Sequence, residues 1–309
     1  MKESFGELYA RLHRENYAEL ETLREKTKKS TTGIILATIG TILFIILNPI
    51  FMFVGIFALI IWIVYSSIKK GKQNINIEKR EKTYSEVFKE KIVGPIIENA
   101  FEQAKYTPKS GISRFEYSKA GYKDDIDRYF SEDLVVAPLR VENEVETFIT
   151  FSEVHTQKES RDEDGRTTYS TQFHGLAGNF LIPHKLNKKI YIRSNWKVGN
   201  WNKNKVKMDM PEFEKIFDVE SDDAILTMRI LTADVMSEMI DFYRKYKYRF
   251  EISIIDDTVH MRLSTGPMFE PSVFKDSMEY KQLEKYYLVL KALVSIAGHI
   301  YDTILKLDV

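Results

Sequence analysis

The sequence predicts an α+β protein with an N-terminal amphipathic helix, a two-helix transmembrane hairpin, and a cytoplasmic mixed domain with a largely antiparallel sheet and a long C-terminal helix. Three observations support this. Residues 33–68 carry no charged side chain, about twice the length of one membrane span. Paired stretches rich in β-branched and aromatic residues follow. An apolar repeat of helical period closes the chain at 277–307. The predicted segments are 1–30, 31–68, 69–106 and 107–309.

The first segment, residues 1–30, has apolar side chains three and four positions apart, with Arg, Glu and Lys between them. This spacing predicts an amphipathic helix. Two interpretations stay open: the helix packs on the cytoplasmic body, or it pairs with its own copy in an oligomer. The apolar positions are Phe5, Leu8, Tyr9, Leu12, Leu20 and Leu23.

The uncharged run is interrupted once, at Asn48-Pro49. Proline lacks a backbone donor and Asn-Pro favours a turn, so the chain is expected to reverse there. Each arm then has roughly 17 residues, or about 26 Å of helix, near the lower limit for a membrane span. Lysines flank both ends, and basic residues mark the cytoplasmic side, so both termini are expected in the cytoplasm. These lysines are Lys26, Lys28, Lys29, Lys69, Lys70 and Lys72.

The first arm has a face of small and polar residues, which lets helices approach closely in lipid. One interpretation is that the hairpin packs on itself along this face. The other is that the face lines a pore, which requires a homo-oligomer because one hairpin cannot enclose a channel. The residues are Gly33, Ala37, Gly40, Thr41, Phe44 and Asn48.

After the hairpin, residues 69–106 continue the helical pattern, with a kink expected at Gly94-Pro95. The segments 134–143 and 146–157 alternate in character and predict paired strands. The charged stretch 158–166 is expected to form the loop that follows them.

The second half of the body is predicted to hold a helix over 211–218, which opens with Pro at its first position. A second helix is expected over 233–247 with Thr232 as its N-cap. Between strands that follow, Asp256-Asp257 supplies the turn of a hairpin.

Several blocks of the second half resemble a known bacterial family, the domain of unknown function 3137. The matching residues are Phe173-His174-Gly175-Leu176 with Phe180, the stretch 211–224, Ile230-Leu231-Thr232, the strand pair across Asp256-Asp257, and Phe269-Glu270-Pro271. The resemblance extends over residues 83–307. It implies a bacterial membrane-anchored cytoplasmic domain that is associated with the envelope. We expect the inner membrane as its location and a membrane protein as one partner. It brings no established activity and no catalytic residues.

No motif of known catalytic chemistry occurs in the sequence, and no catalytic residue, metal ligand or cofactor is assigned. The chain has no cysteine, which excludes disulfides, thiolate metal sites and a Cys nucleophile. Glu132 and Asp133 are interpreted as surface residues. The six histidines are scattered without metal-ligand spacing, and each is interpreted as structural or solvated. They are His13, His155, His174, His184, His260 and His299.

One charged constellation stands out in a chain whose 45 basic and 45 acidic residues balance. The 44 residues from Gly165 to Met208 contain nine basic side chains and no acid, with aromatics threaded between them. Basic side chains with aromatic faces hold nucleotides and single strands. The candidate ligand-binding residues are Arg166, Lys185, Lys188, Lys189, Arg193, Trp196, Lys197, Trp201, Lys203, Lys205 and Lys207.

Two other interpretations of this basic segment stay open. Its aromatics belong to the core with the lysines on the outer strand face, or the segment lies against anionic lipid headgroups.

These features favour a homo-oligomeric membrane effector, an ion channel or pore gated by a nucleotide or single-stranded oligonucleotide bound to the cytoplasmic domain. Its architecture is similar to that of membrane effectors in bacterial antiphage defence, which is an analogy of form. The alternative is a non-enzymatic envelope adaptor, or scaffold, whose hairpin is only an anchor.

Overall fold

The computed structural model describes residues 3–47, 61, 82–194 and 204–307. The helices in these ranges are α1 (Phe5–Leu47), α2 (Tyr84–Phe88), α3 (Gly94–Ala100), α4 (Arg114–Lys119), α5 (Pro211–Glu214), α6 (Ala224–Ile230), α7 (Ala233–Tyr246) and α8 (Tyr280–Leu305), with a π-helical turn over Lys89–Val93. The strands are β1 (Lys105–Thr107), β2 (Arg128–Val141), β3 (Glu144–Arg161), β4 (Thr167–Leu181), β5 (Lys189–Ser194), β6 (Phe217–Ser221), β7 (Phe250–Ile255) and β8 (Thr258–Leu263).

The eight strands form one sheet in the order β1-β2-β3-β4-β8-β7-β5-β6, with every neighbouring pair antiparallel. This confirms the predicted α+β class and the largely antiparallel sheet. The turn between β7 and β8 falls on Asp256-Asp257, as the sequence predicted. Strands β2, β3 and β4 are each more than twice as long as any other strand, so they extend beyond the rest of the sheet.

The main core lies between one face of the sheet and the helices. Along β5, Ile190 and Ile192 are buried in this core, whereas Tyr191 and Arg193 point to the opposite face and are half-buried. A smaller cluster around Tyr117 of α4 covers part of that opposite face. The two faces therefore differ in character: one is apolar and the other carries charge.

Helix α8 is the described helix that is long and apolar enough to cross a membrane by length and composition, with a mean hydropathy of 1.5 over its most apolar window. In this structure ten of its residues are buried, and it packs over β2 and against α7. An apolar repeat on one side of a helix serves the core of a body equally well, and here α8 provides much of that core.

Helix α1 joins two of the predicted segments without a break. Leu8, Leu12 and Leu20 are buried against the body, which confirms that the N-terminal helix packs on it. The same helix then continues through residues 31–47, the predicted first membrane arm. The reversal at Asn48-Pro49 and the second arm, except Ile61, lie outside the described residues, so the hairpin stays a prediction.

The segment after the hairpin is less helical than expected. Its helix ends at Ala100 and β1 begins at Lys105, before the predicted boundary at 106. The irregularity expected at Gly94-Pro95 takes the form of a π-helical turn, in which the Gly94 N–H donates to Lys89 O. Pro95 has no N–H to offer the carbonyl one turn earlier, so the hydrogen-bond ladder shifts there.

Two further boundaries were predicted wrongly. Strand β3 continues through Arg161, so the loop is confined to 162–166, because residues 158–161 pair with β4 despite their charge. The helix at Pro211 ends at Glu214, because the following residues enter the sheet edge as β6. The helix over Ala233–Tyr246 and its N-cap are confirmed, since Thr232 accepts a hydrogen bond from Val235 N.

The burial of α1 makes a direct stability test possible. We expect Leu20→Ala to lower the free energy of unfolding of the body by about 2–5 kcal/mol, because it opens a cavity under a side chain with no exposed surface. Leu36 lies in the same helix but is 63% exposed, so Leu36→Ala is the matched control and should leave the unfolding midpoint unchanged. Equal effects of the two substitutions in denaturant titrations would contradict the docking of α1 on the body.

Candidate functional site

The described residue with the densest set of ionic contacts is Lys89, in the π-helical turn. Its Nζ lies 2.8 Å from Asp133 Oδ2 and 3.0 Å from Glu132 Oε2, and it also pairs with Glu270. The Tyr106 hydroxyl donates to the other oxygen of Asp133. Lys89 and Asp133 are both buried, with side-chain exposures of 5% and 0%. We refer to these five residues as the Lys89 cluster.

The strand β2 is distorted to deliver Asp133 to this cluster. The pairing register of β2 with β3 shifts between Glu132 and Val135, which marks a β-bulge. Asp133 has φ +60° in the left-handed region, which Asp tolerates better than most residues. The interpretation of Asp133 as a surface residue was therefore wrong, because the bulge turns its carboxylate inward onto a buried ammonium.

The electrostatics of the cluster are unbalanced, with one cation facing three carboxyl groups. Burial raises the pKa of Asp133 to about 6, against the opposing effects of Lys89 and Tyr106. Burial acts to lower the pKa of Lys89, but its bonds to Asp133 and Glu270 outweigh this and hold the pKa above its usual value. Carboxylate oxygens of Glu132, Asp133 and Glu270 approach one another closely enough to hold a cation, and Lys89 Nζ already contacts all three residues.

The loop from Ser264 to Glu279, which we call the 264–279 loop, connects this cluster to the rest of the body. Glu270 accepts a hydrogen bond from Ser85 Oγ of α2 at 2.7 Å. The buried carboxylate of Glu153 on β3 accepts from the backbone N–H groups of Met268 and Phe269. The loop is therefore fixed at two points: its Glu270 is held by Ser85 and Lys89, and its backbone is held by the buried Glu153.

The same loop contacts α1 directly. The Tyr9 hydroxyl donates to Met278 O at 2.8 Å, and Arg24 Nη1 donates to Val273 O at 3.2 Å. A continuous set of contacts thus runs from the Lys89 cluster through the loop to the helix that carries the predicted membrane arm.

Two histidines adjoin this loop on the long strands. His155 of β3 and His174 of β4 are cross-strand partners whose rings stack with centroids 4.3 Å apart. His174 Nε2 lies 3.3 Å from Glu153 Oε1, while His155 Nε2 lies 3.0 Å from Thr171 Oγ1. Burial and the neighbouring His174 lower the pKa of His155. Sequence reasoning missed this pair because the residues are 19 positions apart and meet only through strand register.

The family-like motifs converge at this place. The glycine in Phe173-His174-Gly175-Leu176 is required by close packing, since a Cβ there would lie 2.1 Å from Leu263 O at the start of the 264–279 loop. Glu270 of the Phe269-Glu270-Pro271 motif lies in the Lys89 cluster. Motifs almost a hundred residues apart therefore build one junction, which holds the loop against the sheet and against α1.

The structure does not bring the candidate ligand-binding residues of the basic segment 165–208 together at one place. Arg166 lies at the tip of the β3–β4 hairpin, whereas Lys189 begins β5 near the opposite end of the sheet, roughly 45 Å away along β4. Two further lysines of the segment, Lys185 and Lys207, are exposed. Trp196, Lys197, Trp201 and Lys203 lie outside the described residues.

Acids from neighbouring elements lie beside several of the basic residues. Lys188 Nζ is 3.7 Å from Asp223, Lys205 Nζ is 2.6 Å from Asp218 Oδ1, and Arg193 is 3.7 Å from Glu251. The local excess of positive charge along the sequence is therefore partly neutralised in space. Two of the segment's aromatics, Phe173 and Phe180, are buried in the core. Binding of a phosphate-bearing ligand stays a prediction.

The predicted pore residues that are described lie on the exposed part of α1. Gly33, Ala37 and Gly40 are exposed, and no described atom comes within 4 Å of a Cβ placed at Gly33 or Gly40. Thr41 and Phe44 belong to the same helix. Asn48 lies outside the described residues.

An open cleft of about 530 Å³ lies between the C-terminal half of α8, the end of β2 and the end of α3. Its volume is in the range of small-molecule sites. Basic and acidic side chains alternate around it, so its charge does not select a ligand class. The charged lining residues are Glu102, Arg140, Glu142, Lys291, Asp302 and Lys306.

Comparison with known proteins locates the family-like region. The model of the family described as "Protein of unknown function (DUF3137)" matches residues 171–301, which confirms the resemblance over that range. No curated protein matches the chain. The crystal structure of the mycobacterial trehalose monomycolate transport factor A, TtfA, is similar at 9% identity and a TM-score of 0.31, covering 66% of this chain and 95% of that chain. A likeness at that level assigns neither fold nor function.

The Lys89 cluster allows a test of stability against pH. We expect Lys89→Met to cost about 3–5 kcal/mol, because it leaves the buried carboxylate of Asp133 without its cation. The folded state holds a proton on Asp133 up to about pH 6, above the ordinary pKa of 3.8. The loss in the variant should therefore be largest above pH 6 and shrink as pH falls toward 4.

The matched control for this experiment is Lys205→Met, which breaks an ion pair that is half exposed and should cost at most about 1 kcal/mol at any pH. Unfolding curves in denaturant at pH 4.5 and pH 7.5 give both numbers. A pH-independent loss in Lys89→Met would show that the carboxylates do not carry the uncompensated charge.

Proposed function

We propose that this protein is a non-enzymatic adaptor, in which α1 anchors the α+β body to the cytoplasmic face of a bacterial inner membrane and the body docks another envelope protein. The observation that carries the proposal is the continuity of α1. One unbroken helix has Leu8, Leu12 and Leu20 buried in the body and then continues to residue 47, with residues 32–40, 42 and 43 exposed.

The exposed part of α1 has the character of a membrane segment. Its large aliphatic side chains are 45–63% exposed and cover about half of the helix circumference, opposite Gly33, Ala37 and Gly40, as expected when the medium on that side is apolar. These residues are Ile34, Ile35, Leu36, Ile39, Ile42 and Leu43. In water this apolar surface would favour aggregation, whereas the hydrocarbon core of a bilayer is a favourable environment for it.

The junction around the 264–279 loop supports the same proposal. Tyr9 and Arg24 connect α1 to the loop, the buried Glu153 connects the loop to the sheet, and Glu270 connects it to Lys89. A body held to its anchor at several points keeps one orientation relative to the membrane, which is what a docking platform requires.

A pair of variants tests the anchor. We expect the double variant Ile39→Lys, Ile42→Lys to release protein from carbonate-washed membranes, because each lysine near the middle of a span costs about 2.5–3.5 kcal/mol. Ile225 of α6 is 76% exposed on the body, so Ile225→Lys is the matched control and should leave the membrane fraction unchanged. Retention of the double variant at wild-type levels would oppose anchoring by α1.

A second candidate function is a homo-oligomeric pore gated by a nucleotide or oligonucleotide, in a defence role. It is favoured by the open positions at Gly33 and Gly40, where a second helix has room to approach. The contacts between the 264–279 loop and α1 offer a route by which a change in the body would move the helix.

The pore is tested with purified full-length protein in planar bilayers. We expect Gly40→Leu to reduce conductance, because a bulky side chain fills the narrow face of the arm, while the neighbouring Ile39→Leu should not. Absence of conductance from the wild type, with and without nucleotides, would leave the adaptor as the function.

A further inference from the structure

The long β3–β4 hairpin leaves one strand edge open. Strand β4 pairs with β8 only over Leu176–Leu181, so residues 167–172 have β3 on one side and no described strand on the other. All six of these residues are exposed. An open edge presents backbone groups that another strand can bind.

The outward-pointing groups follow from the ladder itself. Asp162 N donates to Arg166 O at 3.1 Å, which makes this pair a hydrogen-bonded one. Bonded and non-bonded pairs alternate along an antiparallel ladder, so the N–H and C=O groups of Thr167, Tyr169 and Thr171 point away from β3. Among the described residues nothing is hydrogen-bonded to these six groups.

The opposite edge of the same hairpin is protected. Glu159, which faces Tyr169 across the ladder, has its outward N–H bound by Asp127 Oδ2 at 2.6 Å. Lys158 next to it is paired with Asp125. Charges and a side-chain cap are the usual means of blocking edge pairing. The β4 edge, Thr-Thr-Tyr-Ser-Thr-Gln, has no charge, glycine or proline.

The exposed sequence is also symmetric about its centre. Reading outward from Tyr169, Thr168 faces Ser170 and Thr167 faces Thr171. A two-fold axis through Tyr169 would pair each outward residue with an outward residue of the second copy. All six free groups are then satisfied, which a register displaced by one residue does not achieve.

We propose that this edge is a homodimer interface, in which β4 of one copy pairs antiparallel with β4 of a second copy about Tyr169. Thr167 then lies opposite Thr171 of the second copy and Tyr169 opposite Tyr169. Cross-strand Thr pairs and aromatic pairs favour this contact. The Arg128 guanidinium, 3.6 Å from the centroid of the Tyr169 ring, holds that side chain in place. The interface goes beyond the proposed anchor and depends on neither the adaptor nor the pore.

Because the chain has no cysteine, single cysteines introduced into the full-length protein report the register directly. In the proposed pairing the two Cα atoms of residue 169 are about 5.5 Å apart, within the range a disulfide bridges. The two copies of residue 167 are separated by about 14 Å along the strands. We expect Tyr169→Cys to form disulfide dimers on mild oxidation and Thr167→Cys alone to form none.

A mixture of Thr167→Cys and Thr171→Cys copies should cross-link between unlike copies, which fixes the antiparallel register without altering Tyr169. Failure of both this mixture and Tyr169→Cys would overturn the proposal, as would equal yields for Thr167→Cys alone. Dimers held only by the membrane segment would not give this pattern.

The strength of the interface is tested by Thr171→Pro, which removes an outward backbone donor twice by symmetry, leaves the backbone bonds to β3 intact, and also removes the side-chain contact of Thr171 with His155. We expect the dimer dissociation constant to rise about tenfold or more. Tyr169→Lys should act in the same way through like charges. Ser160→Lys places the same charge on β3 and is the matched control. The dissociation constants are measured by sedimentation in detergent. The proposal is overturned if Thr171→Pro and Tyr169→Lys have the same dissociation constant as the wild type and the Ser160→Lys control.

Discussion

The buried ammonium of Lys89 is the interaction on which the arrangement of this body depends. Placing an ion in the interior is costly unless it is paired and hydrogen-bonded. Here the partners come from two separate parts of the chain: Glu132 and Asp133 from a bulged strand, and Glu270 from the 264–279 loop. The shifted ladder before Pro95 presents the lysine, and the β2 bulge presents its main partner. The π-helical turn and the β-bulge thus place two oppositely charged side chains in contact.

From this cluster the contacts lead outward in two directions. Toward the sheet, Glu153 holds the loop backbone and contacts His174 of the stacked histidine pair. Toward the N-terminus, Tyr9 and Arg24 fasten α1 to the same loop. The loop thus connects the charged interior with the helix proposed to enter the membrane. These contacts hold the body in a fixed orientation relative to the proposed anchor, α1. A docking platform needs such an orientation, and in a gated pore the same contacts would transmit a change in the body to the helix.

Charge and edge chemistry show how neighbours in space change the meaning of a sequence. The run from Gly165 to Met208 has nine basic residues and no acid, yet Asp218, Asp223 and Glu251 stand beside three of them. Two neighbouring strands and the start of α6 supply the acids that the segment lacks. Residues 167–172 show the reverse case. Their sequence has no charge and no motif, but the fold leaves them as a strand edge with unpaired backbone groups. The proposed dimer interface is this edge, which no described strand of the sheet covers.

The sequence by itself determined those features that rest on local patterns. Period and composition were sufficient for the α+β class, the amphipathic first helix, the Thr232 cap and the Asp256-Asp257 turn, because each depends on residues within a few positions of one another. It did not determine where β3 ends, that Asp133 is buried, or that His155 stacks on His174. These follow from strand register and from partners tens to hundreds of residues away, and no short pattern encodes such pairings. The tertiary structure alone decided which charges are neutralised and which strand edge is left open, because both depend on what packs beside a residue in three dimensions.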